Sequence, residues 1–208
     1  VHSNGEDFAF LRVRRASLED TAAIEALRSD AESRPALILA GQWQFDAERR
    51  EVGKKSRLAQ IRLGNLWIVE SRSSVPMASF CVDGSLDPEF WNENERVDAL
   101  TLHGTVVGSW ASGLGIGSSI HDFAGHLARA QRKPWLRLDA WKTNSALHRI
   151  YTDDGFDHVR TVNLPHRQSG ALFQRPSLLS RGVGPALVEA DSPVVGRTTM
   201  PRQSSIGL

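Results

Sequence analysis

The stretch Ser112-Gly113-Leu114-Gly115-Ile116-Gly117-Ser118 constrains this chain more than any other. It lies between a strand-like run, Ala99 to Val107, and a helix-like run, Ser118 to Gln131. Glycine at alternate positions of such a turn lets backbone amides approach a phosphate closely. The helix N-terminus then adds its partial positive charge. The expectation is a loop that grips a phosphate-bearing ligand.

Two other phosphate loops do not fit. A nucleotide P-loop needs Gly-x-x-x-x-Gly-Lys-Ser/Thr, and Gly113 to Ser119 holds no lysine. A dinucleotide fingerprint needs a third glycine where Ile120 stands, near the start of a βαβ unit. Here the loop comes mid-chain, after an apparent hairpin.

Around the loop, strand and helix patterns alternate. Phe8 to Arg14 suits a first strand. Ser17 suits the cap of a helix with Ala23, Ile24 and Leu27 on one face, down to about Ser33. Pro35 breaks that pattern, and Ala36 to Phe45 is apolar and aromatic without a clear conformation. Asp46 opens a second helix to about Leu63, whose Arg49, Arg50, Lys54, Lys55 and Arg57 read best as a solvated face. Gly64-Asn65 is a turn, and Leu66 to Ser71 with Val75 to Val82 reads as a hairpin. Leu86 to Arg96 reads as a loop. Trp135 to Trp141 alternates as a strand, and Asn144 to Asp153 reads as a short helix closed by Gly155. Phe156 to Val162 and Gly170 to Phe173 suit a final antiparallel pair. From Pro176 onward Pro, Gly, Ser and Arg dominate. Residues 8–175 are therefore expected to form one domain, and 176–208 a weakly structured tail. The fold class is α/β (α+β): a mixed, mainly antiparallel central sheet flanked by helices.

The bulk numbers exclude some classes. A formal net charge of +1 gives no reason to expect a nucleic-acid partner. No apolar run approaches the ~18 residues of a membrane span. The single cysteine, Cys81, leaves no intrachain disulfide and sits in the apolar run Met77 to Val82, as a buried small hydrophobe would. With no signal-peptide pattern, a cytoplasmic setting is expected. No spacing of His, Cys and carboxylates suggests a metal site.

The order helix, hairpin, strand, Gly-x-Gly loop, helix, strand, Asn, short helix with Tyr, Gly-Phe resembles the GNAT superfamily of N-acetyltransferases. The family's Arg/Gln-x-x-Gly-x-Gly/Ala loop maps onto Ser112-Gly113-Leu114-Gly115-Ile116-Gly117. A second family block maps onto Asn144, Leu147, Tyr151, Gly155 and Phe156. The resemblance spans roughly Phe8 to Phe173 and is strongest from Ala99 to Val162.

It implies the GNAT acyl-CoA acyltransferase fold, with acetyl-CoA as co-substrate, no metal, and acetyl transfer to an amine by direct attack in a ternary complex. The acceptor would be a small-molecule or peptide amine, with Trp43, Phe45, Phe90 and Trp91 bordering its pocket. A homodimer is left open; no nucleic acid or membrane is expected as partner. Val106 and Val107 would line the pantetheine arm, with the Val107 N–H near the thioester carbonyl. Ser112, Gly113, Leu114, Gly115, Ile116, Gly117 and Ser118 would hold the diphosphate. Asn144 would bond the pantetheine or cap its helix. Tyr151 would protonate the thiolate, or serve only in packing; a phenol pKa near ~10 matches a leaving thiol. The family's glutamate base has no equivalent in the run Asp98 to His103. His103, with an intrinsic pKa near ~6.5, is the candidate base, the alternative being a structural histidine whose hydrogen bonds are satisfied. Asp139 would bind the amine, orient a water or cap the next turn. His121 and His126 are expected on the surface. Ser112 replaces the family's Arg or Gln, with Arg132 or the basic second helix as substitutes. That departure supports the alternative of a non-catalytic acyl-CoA-binding or regulatory module of the same fold.

Overall fold

The structure, a computed structural model, describes residues 10–39, 41–42 and 46–190. The strands are β1 (Phe10–Arg15), β2 (Leu66–Glu70), β3 (Pro76–Asp83), β4 (Ala99–Val107), β5 (Trp135–Trp141), β6 (Asp157–Thr161), β7 (Ser169–Pro176) and β8 (Ala186–Glu189). The helices are α1 (Thr21–Glu32), α2 (Pro35–Leu39), α3 (Ala47–Leu63), α4 (Glu93–Val97), α5 (Ile116–Ala130) and α6 (Ser145–Asp153). One sheet runs in the order β6-β7-β5-β4-β3-β2-β1-β8. The β4–β5 and β1–β8 pairs are parallel and the others antiparallel. The mixed, mainly antiparallel sheet flanked by helices is thus present.

Helices cover both faces, so the central strands read as continuous apolar runs. Every residue of β2 is buried. On one face α5 presses Ile116, Ile120, Phe123 and Ala124 onto the sheet. There the Phe123 ring meets Trp67 and Phe80 edge-on at 5.1 and 6.1 Å between centroids. On the other face Ile24 of α1 and Ile61 of α3 pack with Leu66 and Cys81. Ser17 does not cap α1: it precedes a single 3-10 turn, Leu18–Asp20, and α1 begins after Asp20 with no side-chain cap bond. Two other caps are those the sequence signals. Asp46 accepts from the Arg49 amide at 2.8 Å, and Gly64 ends α3 at φ +71°.

Two further expectations need correction. Leu86 to Arg96 is not wholly a loop: Glu93–Val97 forms α4, opened by an Asn92–Glu95 capping box. One helical turn is too short to show apolar periodicity. The stretch from Pro176 is not loose throughout. Residues 177–185 cross α5, and β8 then pairs in parallel with β1, Phe10 opposite Ala186. Asp122 of α5 clamps this strap, accepting from Ser180 Oγ and from the Arg181 and Gly182 amides at 2.9–3.1 Å. The start of the first strand at Phe8, the aromatic residues Trp43 and Phe45, and residues 191–208 of the expected tail lie outside the described residues.

Candidate active site

β4 and β5 pair only where Ala99–Thr101 meets Trp135–Arg137. Beyond that point they part. Within β4, Gly104 at φ +62° sits in a bulge: Gly104 and Thr105 fall between the pairs Cys81–His103 and Ser79–Val106. The extra residue bends β4 where the opening begins. α1, α5 and α6 wall the gap into a cavity of about 470 Å³. The Gly108 amide donates to the Met77 carbonyl at 2.8 Å. Ladder alternation then turns the Val107 amide and carbonyl away from β3, toward the opening. Arg34, in the link between α1 and α2, donates to that carbonyl and pairs with Asp30 of α1 at 2.6 Å. Asp30 in turn accepts from the amide and hydroxyl of Ser109, which ties α1 to the turn before the glycine loop.

The glycine loop closes one end of the gap. Gly113 and Gly115 have φ of +80° and +75°, conformations that other residues adopt only with strain. Gly115 is the N-cap of α5 and has no side chain to satisfy the amides of Ile116, Gly117 and Ser118. Those amides are the available donors for an anion. Gly117 lines the cavity, and a Cβ there would meet no protein atom within 4 Å. Backbone and ligand can therefore approach closely, so the cradle fits a diphosphate. The Ser118 hydroxyl is committed elsewhere: it donates to Asp154 at 2.8 Å. Ser112, Gly113, Leu114, Gly115, Ile116 and Ser118 shape the loop without lining the cavity, and Ile116 is buried in the core. Arg132 follows the other end of α5. A helix of 15 residues is about 22 Å long, so this guanidinium does not stand in for the charge missing at Ser112.

Further along the cavity, Val106, Val107, His103, Asp139, Asn144 and Tyr151 line its walls. The Tyr151 ring packs against Phe156 and Phe173 at 5.7 and 5.5 Å, and its hydroxyl has no hydrogen-bond partner among the described residues. Burial, and after it the Asp139 charge, raise the phenol well above its ordinary pKa. The Asp139 side chain lines the cavity with no ion pair or side-chain hydrogen bond among the described residues, although Arg167 and Tyr151 feel its charge. On the facing strand, His103 Nε2 lies 3.1 Å from Asp83 Oδ2. Burial raises the Asp83 carboxyl, but the hydrogen bonds from His103 and the Ser85 amide outweigh it and hold the group below the ordinary carboxylate range. An ionised Asp83 only accepts, so Nε2 carries a proton toward it and Nδ1 is the ring nitrogen left for other partners. His103 also borders a second, smaller cavity between the sheet and helices α1 and α3.

Asn144 does the capping work: Oδ1 accepts from the Leu147 amide at 3.0 Å, and Nδ2 donates to Gln42 at 2.7 Å. Phe90 and Trp91 are buried in a cluster with Leu86, Ala99 and Leu172 and do not line the cavity. They are the anchor of a loop, with Trp91 held between the guanidinium groups of Arg137 and Arg160 at 5.1 Å each. His121 is not a surface residue; it is 3% exposed and lines the cavity. Asp83, His121, Asp154 and Gln42 went unselected in the sequence. Each is placed by a contact distant in the chain, and the closest local sign is that Asp83 ends the apolar run of β3.

No family model and no curated protein matches the sequence. Solved structures do. A GNAT-family acetyltransferase from Listeria monocytogenes 4b F2365 aligns at TM-score 0.63 and 21% identity, over 85% of this chain and 98% of its own. One from Streptococcus agalactiae 2603 aligns at 0.63 and 19%, over 81% and 96%. The PaiA N-acetyltransferase of Thermoplasma acidophilum, solved in complex with coenzyme A, aligns at 0.59 and 15%, over 80% and 98%. By its topology, its divided β4–β5 pair and these neighbours, the chain has the fold of the GNAT acetyltransferases.

Proposed function

We propose that this protein transfers an acetyl group from acetyl-CoA to the amine of a small molecule or peptide. One observation carries the proposal: the unpartnered Tyr151 hydroxyl and the Asp139 carboxylate face the same cleft that the open amides of the glycine loop close. Ile116, Gly117 and Ser118 would hold the diphosphate, and the β4 edge at Val106 and Val107 the pantetheine arm. Acetyl-CoA, when bound, supplies the acyl group activated as a thioester.

Each step then falls to a residue of this chain. Asp139 draws the acceptor's ammonium toward the cleft, where it loses a first proton to water and becomes the attacking amine. His103 Nδ1 takes the proton from the attacking nitrogen while Asp83 fixes the ring. The Val107 N–H supports charge on the carbonyl oxygen. Tyr151 gives its proton to the leaving sulfur. The test is thiol release from acetyl-CoA across a panel of amines. Tyr151→Phe is expected to lower turnover at least about tenfold and to leave the Kd for CoA unchanged; full turnover by that variant refutes the acid role.

A second reading rests on Ser112. With no charge at that position, a site that binds acyl-CoA without turnover predicts calorimetric binding and no thiol release with any amine of the panel.

A further inference from the structure

The mechanism above leaves one buried titratable cluster unused. Asp154, directly after α6, accepts from Ser118 Oγ at 2.8 Å and faces His121 Nδ1 at 2.6 Å. Ser118 and His121 lie on the first turns of α5, so one carboxylate joins the helix of the glycine loop to the helix of Tyr151. Burial raises the Asp154 carboxyl, but His121, Ser118 and the Arg175 charge outweigh it and keep it ionised. Nδ1 therefore carries a proton directed at Asp154. That leaves Nε2, which makes no hydrogen bond among the described residues and is not among the sealed, unpartnered polar atoms. The ring lines the cavity, edge-on to Phe156, with its centroid 5.6 Å from that of Tyr151.

Chemistry separates the two neighbours. If Tyr151 gives up its proton, a phenolate remains in a buried place that already feels the Asp139 charge. If an imidazolium gives up its proton to a thiolate, two charges vanish together. We infer that His121 is a second acid on the sulfur side of the cleft, a catalytic residue presented by Asp154. This rests on the acetyltransferase proposal. The balance is as follows. The acceptor nitrogen forms the C–N bond, the C–S bond breaks, and its electron pair goes to sulfur. On this route sulfur takes the Nε2 proton in place of the Tyr151 proton, leaving neutral imidazole with Nδ1–H still on Asp154. The acceptor, drawn in as an ammonium, loses one proton to water before attack and a second to His103 as the amide forms; sulfur gains one, so one proton is released overall, and exchange with water resets both rings.

The test joins binding, spectroscopy and turnover. Imidazole ¹⁵N spectra are recorded for the protein alone, with CoA and with desulfo-CoA. The His121 signal is assigned by its loss in His121→Gln. It is expected to shift with CoA and to shift less with desulfo-CoA. Thiol release by Tyr151→Phe/His121→Gln is expected about tenfold or more below that of Tyr151→Phe. His121 is tightly packed, so Asp154→Asn, which keeps the ring but removes its charged partner, is the second variant in the Tyr151→Phe background; it is expected to lower release by about fivefold or more. Equal shifts with the two ligands overturn the inference, and so does unchanged release when either change is added. Calorimetry separates the two levels: no CoA binding by the wild type ends the acetyltransferase proposal and His121's role with it, whereas binding with equal shifts ends His121's role alone.

Discussion

The 3.1 Å contact between Asp83 and His103 decides which ring nitrogen faces the cleft. Removing the charge while keeping the shape removes that decision. Asp83→Asn is expected to lower kcat/KM about tenfold to a hundredfold, with the Kd for CoA unchanged. Asp83→Glu is expected to recover part of the loss; a role in stability alone would instead lower Tm and CoA affinity together. Residues of this kind divide by how local their determinants are. Strand alternation and block spacing are enough to pick out His103, Asp139, Asn144 and Tyr151, and all four line the cavity. Asp83 lies on the neighbouring strand, opposite Thr101 and 20 residues before His103, and Asp154 reaches back 33 residues to His121. Neither pairing is visible until the chain is folded. For the same reason His121, read by helix spacing alone, looks like a surface residue.

At the scale of elements, the strap from Ser177 to Glu189 meets the glycine loop at one point. A Cβ on Gly184, at φ +88°, would lie 2.4 Å from the Gly115 carbonyl oxygen. Gly184 is thus required both by its backbone conformation and by close approach. Gly184→Ala is expected to destabilise the protein by about 1–3 kcal/mol in urea unfolding, and to weaken CoA binding by disturbing Gly115. An unchanged Kd would mean that the strap and the loop act independently. The hairpin was legible as two apolar runs about a polar turn, α3 by its Asp46 and Gly64 caps, and α5 by its apolar period after the glycine loop. β8 was not: its four residues are half-buried or exposed and find their partner in β1, near the other end of the chain. α4 gave only its capping box, with no apolar face to mark it.

For the whole molecule, the ion pairs and capped carboxylates tie distant segments together and set the response to acid. In Glu95 the Arg160 hydrogen bonds lower the carboxyl directly. In Asp20, Asp83, Asp122 and Asp154 burial acts upward but is outweighed by hydrogen bonds from Arg14, His103, Arg175 and His121 respectively. A folded pKa below the unfolded one gives stability that is present above the unfolded value, near ~4, and is lost as pH falls toward the folded one. The urea midpoint is therefore expected to hold steady above about pH 5 and to fall below about pH 4; Asp122→Asn should flatten part of that fall. No helix among the described residues is long and apolar enough to cross a membrane. The architecture as a whole was the most legible level, since alternating elements and one glycine loop restrict the topology more than they restrict any side chain. The proposed function places acyl-CoA in the β4–β5 cleft with its diphosphate on the amides of Ile116, Gly117 and Ser118. Calorimetric titration with acetyl-CoA and with acetyl-pantetheine, which lacks the diphosphate, tests it most directly. Single-site binding of acetyl-CoA, at least about tenfold tighter than acetyl-pantetheine as charge-assisted hydrogen bonds require, is the predicted result. Equal affinity for the two, or no binding of acetyl-CoA, would contradict it.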